Sequence, residues 1–193
     1  MDFLDLASKT RSCRRFKEAE GLPAGTLEWL VSCARVAPCG GNKQALRFAT
    51  VASPAVCAAL FPALKWAGYL PEWGGPEAGE RPSGYIVIMA DAGKRDHIVS
   101  IDMGIAAQTI QLAACSKGIG DCIFMSFDPH KVRELLEIPA ALDPVLVLAL
   151  GVAKEERRLV PVPADGSIKY WRDENGVHYV PKRSLEELLL IRK

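Results

Sequence analysis

The residues best suited to chemistry fall in four short stretches. The first is Arg11-Ser12-Cys13-Arg14-Arg15, three guanidiniums and a hydroxyl within five residues. Arginine's planar fork matches a phosphate bidentately, and serine adds a further donor. A solvated basic turn has the same composition, and both readings stay open at this point. The second is Pro38-Cys39-Gly40-Gly41-Asn42-Lys43-Gln44. Its glycines allow a close backbone approach, and the Asn42 and Gln44 amides offer a donor and an acceptor in one plane, as the edge of a heterocycle requires. An ordinary helix-ending loop reads the same way. The third runs from Gly118-Ile119-Gly120-Asp121 into Cys122-Ile123-Phe124-Met125-Ser126. It lacks the G-x-G-x-x-G spacing of a dinucleotide fold and follows a helix, not a strand, so a Rossmann reading is weak. The fourth, Pro181-Lys182-Arg183-Ser184, places a second basic pair where it can complete a phosphate clamp with Arg11 and Arg14. A basic helix start is the plainer explanation, and the helix dipole disfavours it unless an anion sits there.

The elements that must position these stretches can be read from pattern. Asp2 can cap a short helix with Phe3, Leu6 and Ala7 on its apolar face. Thr26 opens a second helix carrying Leu27, Leu30, Val31 and Ala34, which Pro38 ends. Residues 47–52 are rich in strand formers, and Ser53-Pro54 starts the next helix. Strands follow at 85–90 and 121–127, separated by the longest helix, 100–117, with Ile101, Ile105, Thr109 and Leu112 along one stripe. Its many alanines permit close packing, and Gly118 supplies its C-terminal turn. Asp128-Pro129 starts a short helix. The run Val145-Leu146-Val147-Leu148-Ala149-Leu150 has no polar alternation and marks a central strand buried on both faces.

Two segments stand apart. Residues 66–84 combine Trp66, Tyr69 and Trp73 with several prolines and glycines, the composition of a lid or binding loop. Residues 152–182 are too polar to build a core of their own, yet the chain closes with an apolar helical pattern at 184–191; this predicts a tail, 152–193, that wraps a partner subunit. The expected fold is a single α+β domain over residues 1–193, a central, mostly antiparallel sheet flanked by helices.

Composition narrows the function classes. A net charge of +1 on 193 residues gives no field favouring nucleic acid or an anionic membrane. No uninterrupted apolar run approaches the ~18–20 residues of a membrane span, and two acids precede the first base, unlike a secretory signal. A cytoplasmic protein is expected. The six cysteines show no C-x-x-C spacing and only three histidines accompany them, so reduced, mostly buried thiols are expected, with no metal site.

Taken in order, the four stretches resemble the nitroreductase family of flavoproteins. That family's opening pattern, R-R-S-x-R-x-F, reads here as Thr10-Arg11-Ser12-Cys13-Arg14-Arg15-Phe16, and its A-P-S-x-x-N-x-Q-P-W-x-F reads as Ala37-Pro38-Cys39-Gly40-Gly41-Asn42-Lys43-Gln44-Ala45-Leu46-Arg47-Phe48. The helix from Asp102 into Gly118-Ile119-Gly120, the strand ending in Leu150-Gly151 and the terminal Lys182-Arg183 also match. The resemblance covers nearly the whole chain. It implies an intertwined homodimer with FMN at the subunit interface and no side-chain nucleophile. By resemblance, Arg11, Ser12 and Arg14 hold the phosphate and ribityl chain, and Arg183 with Lys182 closes on the phosphate. Pro38, Cys39, Gly40 and Asn42 of the other subunit flank the isoalloxazine, while Ile123, Phe124, Met125 and Ser126 lie along it, the Met125 N–H facing flavin N5. Arg14 is the cation expected near N1 and O2. The implied reaction is a ping-pong hydride transfer from NAD(P)H to a small organic acceptor such as a nitroaromatic or a quinone. Specialised reactions on the same fold (dehalogenation, enone reduction, dehydrogenation) and a non-catalytic flavin sensor are the alternatives. Thr10, Cys39 and Ala45-Leu46 depart from the family pattern. They leave the clamp intact and put the substrate pocket in doubt. Cys39 is either a flavin-proximal reactive thiol or inert packing. Lys65 and Arg81 are candidate anchors for an anionic substrate.

Overall fold

In a computed structural model that describes residues 2–94 and 96–193, four antiparallel strands form the main sheet: β1 (Arg47–Val51), β2 (Gly84–Asp91), β3 (Ile119–Phe124) and β4 (Leu142–Val152), in the order β1-β2-β4-β3. The two-residue period of a strand divides the core in two. Tyr85, Val87 and Met89 of β2 with Val147 and Ala149 of β4 face one layer, together with Phe16, Leu60, Trp66, Phe124 and Val132. Ile86, Ile88, Leu146, Leu148 and Leu150 face the other, against Leu27, Leu30, Met103, Ala106, Ala107 and Ile110. The unalternating 145–150 run is thus a central strand buried on both faces, as its composition requires.

The second layer consists of α2 (Thr26–Arg35) and α4 (His97–Ser116). The side chain of Asp96 caps α4 by accepting the Val99 N–H at 2.8 Å, so the helix begins one turn earlier than the apolar pattern suggests. By length and composition alone α4 is apolar enough to cross a membrane. Its buried face carries Asp102, Met103, Ala106, Ala107, Ile110, Gln111 and Ala114, however, and packs on α2 and β3. The stripe of Ile101, Ile105, Thr109 and Leu112 lies on a flank of this buried face, with Ile101 49% exposed. On a helix apolar nearly all round, periodicity cannot select the inward face; the small residues turn inward because they let the helix approach the sheet. The opposite layer holds α3 (Pro54–Leu60) and α5 (Pro129–Leu135), the latter capped by the Asp128 carboxylate.

The loop at 66–84 is tied to this layer. Trp66 packs edge-on against Phe124 (4.6 Å) and Trp73 (6.2 Å), and Arg172 lies 4.6 Å over the Trp73 ring. Only Tyr69 among its three large aromatics is exposed, its ring tilted against Tyr170 with centroids 5.0 Å apart. Trp66 and Trp73 bury apolar area and anchor the loop to the core. Arg81, a candidate substrate anchor, instead stacks on Phe61 at 4.3 Å.

After α1 (Phe3–Lys9), the chain runs beside the sheet in extended form. Ser12 bridges Asp121 in parallel and Phe16 bridges Ala153. This approach needs two glycines. A Cβ at Gly120 would lie 2.8 Å from the Cys13 sulfur, and one at Gly151 2.9 Å from the Phe16 ring. We predict that Gly120→Ala lowers stability by about 1–3 kcal/mol, the usual cost of overpacking a close contact. Chemical denaturation reads this directly, and a change below about 0.5 kcal/mol, the range of neutral surface substitutions, would refute the close-approach argument.

Residues 152–182 are polar, as their composition shows. They fold on their own protomer as a second sheet, β5 (Arg157–Pro161), β6 (Trp171–Arg172) and β7 (His178–Lys182), in the order β5-β7-β6 with β5 and β7 parallel. The apolar content is indeed too low for a core. Buried polar partners substitute: Glu155 and His178 are 6% and 1% exposed, and Arg172 pairs with Glu155 at 2.9 Å. Only the last residues lie free of the body. There, α6 (Leu185–Leu188) is closed by a capping box of Ser184 and Glu187, and Leu188, Leu190 and Ile191 are 66%, 84% and 71% exposed. Of the six cysteines, Cys13, Cys57 and Cys122 are buried and the other three partly exposed.

Candidate functional site

The segment beside β3 fixes the main chain of Ser12 and Cys13, and the Cys13 N–H donates to the Asp121 carbonyl at 2.6 Å. Arg11 and Arg14, on either side, project into a cavity of about 250 Å³. Lys182 reaches it from the end of β7, and Gln108 and Gln111 from α4. Tyr170 and His178 close the remaining side. Among the described residues, three cations and no carboxylate line this cavity. Two guanidiniums and an ammonium with no carboxylate in the lining suit an anion.

The surroundings hold the cations in place and leave their charge available. Arg11 donates through Nη2 to the Ala7 carbonyl at 2.9 Å, and its buried Nε has no partner. Burial pushes its pKa down, with Asp121 opposing that. The Arg14 backbone N–H donates to the buried Glu155 carboxylate. Its guanidinium lies 4.7 Å over the Tyr170 ring, with Nη1 3.3 Å from His178 Nε2. Burial, and then the neighbouring Arg14, Arg172 and Arg157, lower the His178 pKa to about 4. Near neutral pH the imidazole is therefore uncharged and Arg14 faces only neutral groups.

Of the residues singled out by sequence, Arg11, Ser12, Arg14 and Lys182 come together here. Arg183 does not. It points along α6 and pairs with Glu187 at 3.4 Å, because the chain turns into the helix directly after β7. Pro38, Cys39 and Asn42 line a separate, larger cleft of about 710 Å³, with Leu46, Phe48 and Ile105 as apolar wall. Gly40 anchors that loop, donating its N–H to Asp102 at 2.8 Å; a Cβ there would meet Ile98 at 2.3 Å. The loop's turn puts Asn42 and Gln44 at positive φ, 52° and 50°. Within one protomer the cleft and the basic cavity share no lining residue.

On β3 the sequence expectation divides. Ile123 is half-buried on the α4 side, whereas the Phe124 side chain is 4% exposed, in the opposite layer against Trp66. The strand's alternation turns it away, so any ligand contact by Phe124 is a main-chain one. Met125, at 62% exposure, projects outward, and the Ser126 carbonyl accepts the Lys65 N–H at 3.0 Å, which holds Lys65 by its backbone.

Sequence reasoning missed Gln108, Gln111, Tyr170, His178 and Glu155. The two glutamines carried a usable signal, an amide pair three residues apart in the alanine-rich half of a mostly apolar helix. Tyr170, His178 and Glu155 carried none, since their position depends on how β5, β6 and β7 pair.

Comparison with known proteins agrees with this fold. The chain aligns over 100% of its length, and 100% of the other, with a nitroreductase family protein from Streptococcus pneumoniae TIGR4 at 19% identity and TM-score 0.69. A nitroreductase family protein from Clostridium novyi NT is 26% identical, with TM-score 0.66 over 79% of this chain and 87% of that one. An FMN-dependent nitroreductase from Clostridium difficile R20291 is 22% identical, with TM-score 0.66 over 80% and 89%. The nitroreductase family model matches residues 7–152, most of the chain, and the chain belongs to the nitroreductase family.

Proposed function

We propose that the protein is a cytoplasmic, FMN-dependent oxidoreductase that works as a homodimer, taking hydride from NAD(P)H and passing electrons to a small organic acceptor such as a nitroaromatic or a quinone. The observation that carries this reading is the cavity lined by three cations and no carboxylate. The donor set suits a phosphate monoester: two guanidinium forks, the Ser12 hydroxyl, an ammonium and two amides. The unpartnered Arg11 Nε is a further donor left over by the fold. The FMN dependence of the Clostridium difficile relative supports the same cofactor.

Bound FMN would supply the hydride and electron chemistry, in two half-reactions that share one face of its ring. The protein's own part is binding, orientation and charge. Arg11, Ser12, Arg14 and Lys182 would hold the phosphate and ribityl end. The Tyr170 ring keeps Arg14 in place by stacking, and neutral His178 adds no competing charge. The Met125 main chain, on the outward turn after β3, would face the ring's reactive edge. Pro38, Cys39, Gly40 and Asn42 of the second subunit would cover the ring and limit access of water.

The dimer is supported by apolar side chains that one protomer leaves uncovered: Phe3 and Leu4 of α1, Ile98 and Ile101 of α4, and the leucines of the tail. The segment 152–193 would extend onto the partner, with the exposed leucines of 185–190 as its apolar contact.

An absorption spectrum of the purified protein, repeated anaerobically after addition of NADH and then NADPH, tests the proposal. A yellow protein whose flavin band bleaches with either nucleotide is the expected result. A yellow protein that neither reduces has a binding role only, and a colourless protein that cannot be reconstituted with FMN overturns the reading.

A further inference from the structure

Beneath the basic cavity lies a carboxylate that the reading above does not use. Asp121 sits on β3 opposite Leu150 of β4 and is 2% exposed. Its main-chain carbonyl holds the Cys13 N–H, which places Ser12. Its Oδ1 accepts the Gln111 side-chain N–H at 2.5 Å, and Gln111 lines the cavity. One hydrogen bond therefore separates a buried carboxyl group from the space an anion would occupy.

The charges around it come from three directions. Arg11, from the segment after α1, and Arg157, from β5, both act on Asp121. Arg157 also donates to the Arg11 carbonyl at 3.0 Å, which ties the two cations together. From α4 the neighbours are Gln111, which is neutral, and Cys115, which acts on Arg11. Cys13 and Cys122 are thiols that burial pushes up to about 12 and about 11. Glu155 acts on Cys13 from the far side. Cys13 and Cys122 therefore stay protonated near neutral pH. Asp121 is the group of this set able to change state there.

We propose that Asp121 is a positioning residue for the anion site: through Gln111 and the shared field on Arg11 it sets the charge beneath the cavity, so that anion binding is coupled to uptake of a proton by this carboxyl group. The proposal rests on the anion-site half of the FMN reading. The coupling follows from Coulomb's law in a poorly solvated interior. When Asp121 is ionised, it neutralises part of the field of Arg11 and Arg157 and repels an anion across Gln111. When it is protonated, its carbonyl oxygen still accepts from Gln111, and the repulsion is gone.

Burial raises the Asp121 pKa to about 7, even against the hydrogen bond from Gln111 and the attraction of Arg157 and Arg11. The sign is then fixed. Below this value the group is neutral and anions bind best; as pH rises through it, affinity falls, and a bound anion raises the carboxyl's pKa further. His178, at about 4, stays neutral over that window.

The experiment uses the full chain and inorganic sulfate, whose charge is constant from about pH 5.5 to about pH 8.5. In the wild type, sulfate should bind roughly tenfold more weakly at the upper end, the equivalent of one pKa unit of coupling. Asp121→Asn keeps an acceptor for Gln111 and should show a flat profile. Carbon-13 NMR of the wild-type Asp121 carboxyl group gives an answer even if that variant fails to fold: the titration midpoint should move upward when sulfate is added. An unmoved midpoint, a variant that keeps the wild-type slope, or a wild type that binds no sulfate overturns the proposal. FMN binding to the same samples separates this from the cofactor assignment. Sulfate binding with the expected slope but no FMN uptake supports the proposal and ends the FMN reading. FMN uptake with pH-independent sulfate binding overturns the proposal and leaves that reading standing.

Discussion

Glu155→Ala should cost about 3–5 kcal/mol of folding free energy, the range seen when one partner of a buried ion pair is removed. The Glu155 side chain is fully buried, and it holds two things at once. One oxygen takes the Arg14 backbone N–H, and the other takes Arg172 Nη2 at 2.9 Å. Alanine leaves the Arg172 guanidinium, only 15% exposed, without its counter-charge and with an Nε that already lacks a partner. It also frees the main chain that aims Arg14 at the cavity. Urea denaturation should show the loss. Hydrogen exchange should place it in β5, β6 and β7 before the main sheet, because the second sheet has few apolar contacts to fall back on. Replacing both partners together, Glu155→Leu with Arg172→Met, should recover much of the stability, since removing both charges also removes their desolvation cost. A single substitution costing less than about 1 kcal/mol, the worth of an exposed pair, would show that Glu155 is not the anchor of the second sheet.

Arg14→Ala should weaken FMN binding by about a hundredfold, or roughly 2.7 kcal/mol at 1.36 kcal/mol per decade. That is the scale of one desolvated, charge-assisted contact to phosphate. Arg14 faces a neutral imidazole and an aromatic ring, so little of its charge is neutralised by the protein. Arg14→Lys should restore only part of the affinity. An ammonium keeps the charge but cannot form the fork or lie flat on the Tyr170 ring. Fluorescence titration with FMN gives the affinities, and dye-equilibrated reduction gives the potential of whatever flavin remains. Because a cation stabilises the reduced flavin, the alanine variant should also have the lower potential. An affinity within about threefold of wild type (~0.7 kcal/mol) together with an unchanged potential would remove Arg14 from the site.

These two expectations differ in how they became visible. Arg14 stands out in the sequence, because three arginines and a serine within five residues are uncommon and chemically specific. Glu155 does not; among the acids of a polar stretch nothing distinguishes it until the fold buries it. The same division runs through the molecule. The β4 run and the cap at Asp128-Pro129 were legible because local rules govern them: two-face burial demands an unbroken apolar strand, and a carboxylate before proline makes a helix start. The inward face of α4 was not legible, since apolar residues cover it on several sides and only packing against the sheet selects the alanines. The loop at 66–84 was visible as irregular, but Trp66 was committed to the core by Phe124, 58 positions away in sequence, and Trp73 by Trp66.

The sequence by itself determined the four basic and glycine-bearing stretches, the central strand and the family. Each is a matter of residue type at short range. The tertiary structure alone decided which cations share a cavity: Lys182 joins Arg11 and Arg14, while Arg183 turns away into α6. It alone brought Gln111, His178 and Asp121 to that cavity, from one helix and two different sheets. The physical reason is the range of the forces involved. Propensity and periodicity act over a few residues. The charge left uncompensated in a cavity depends on every group that the fold carries to it and on the water that it excludes.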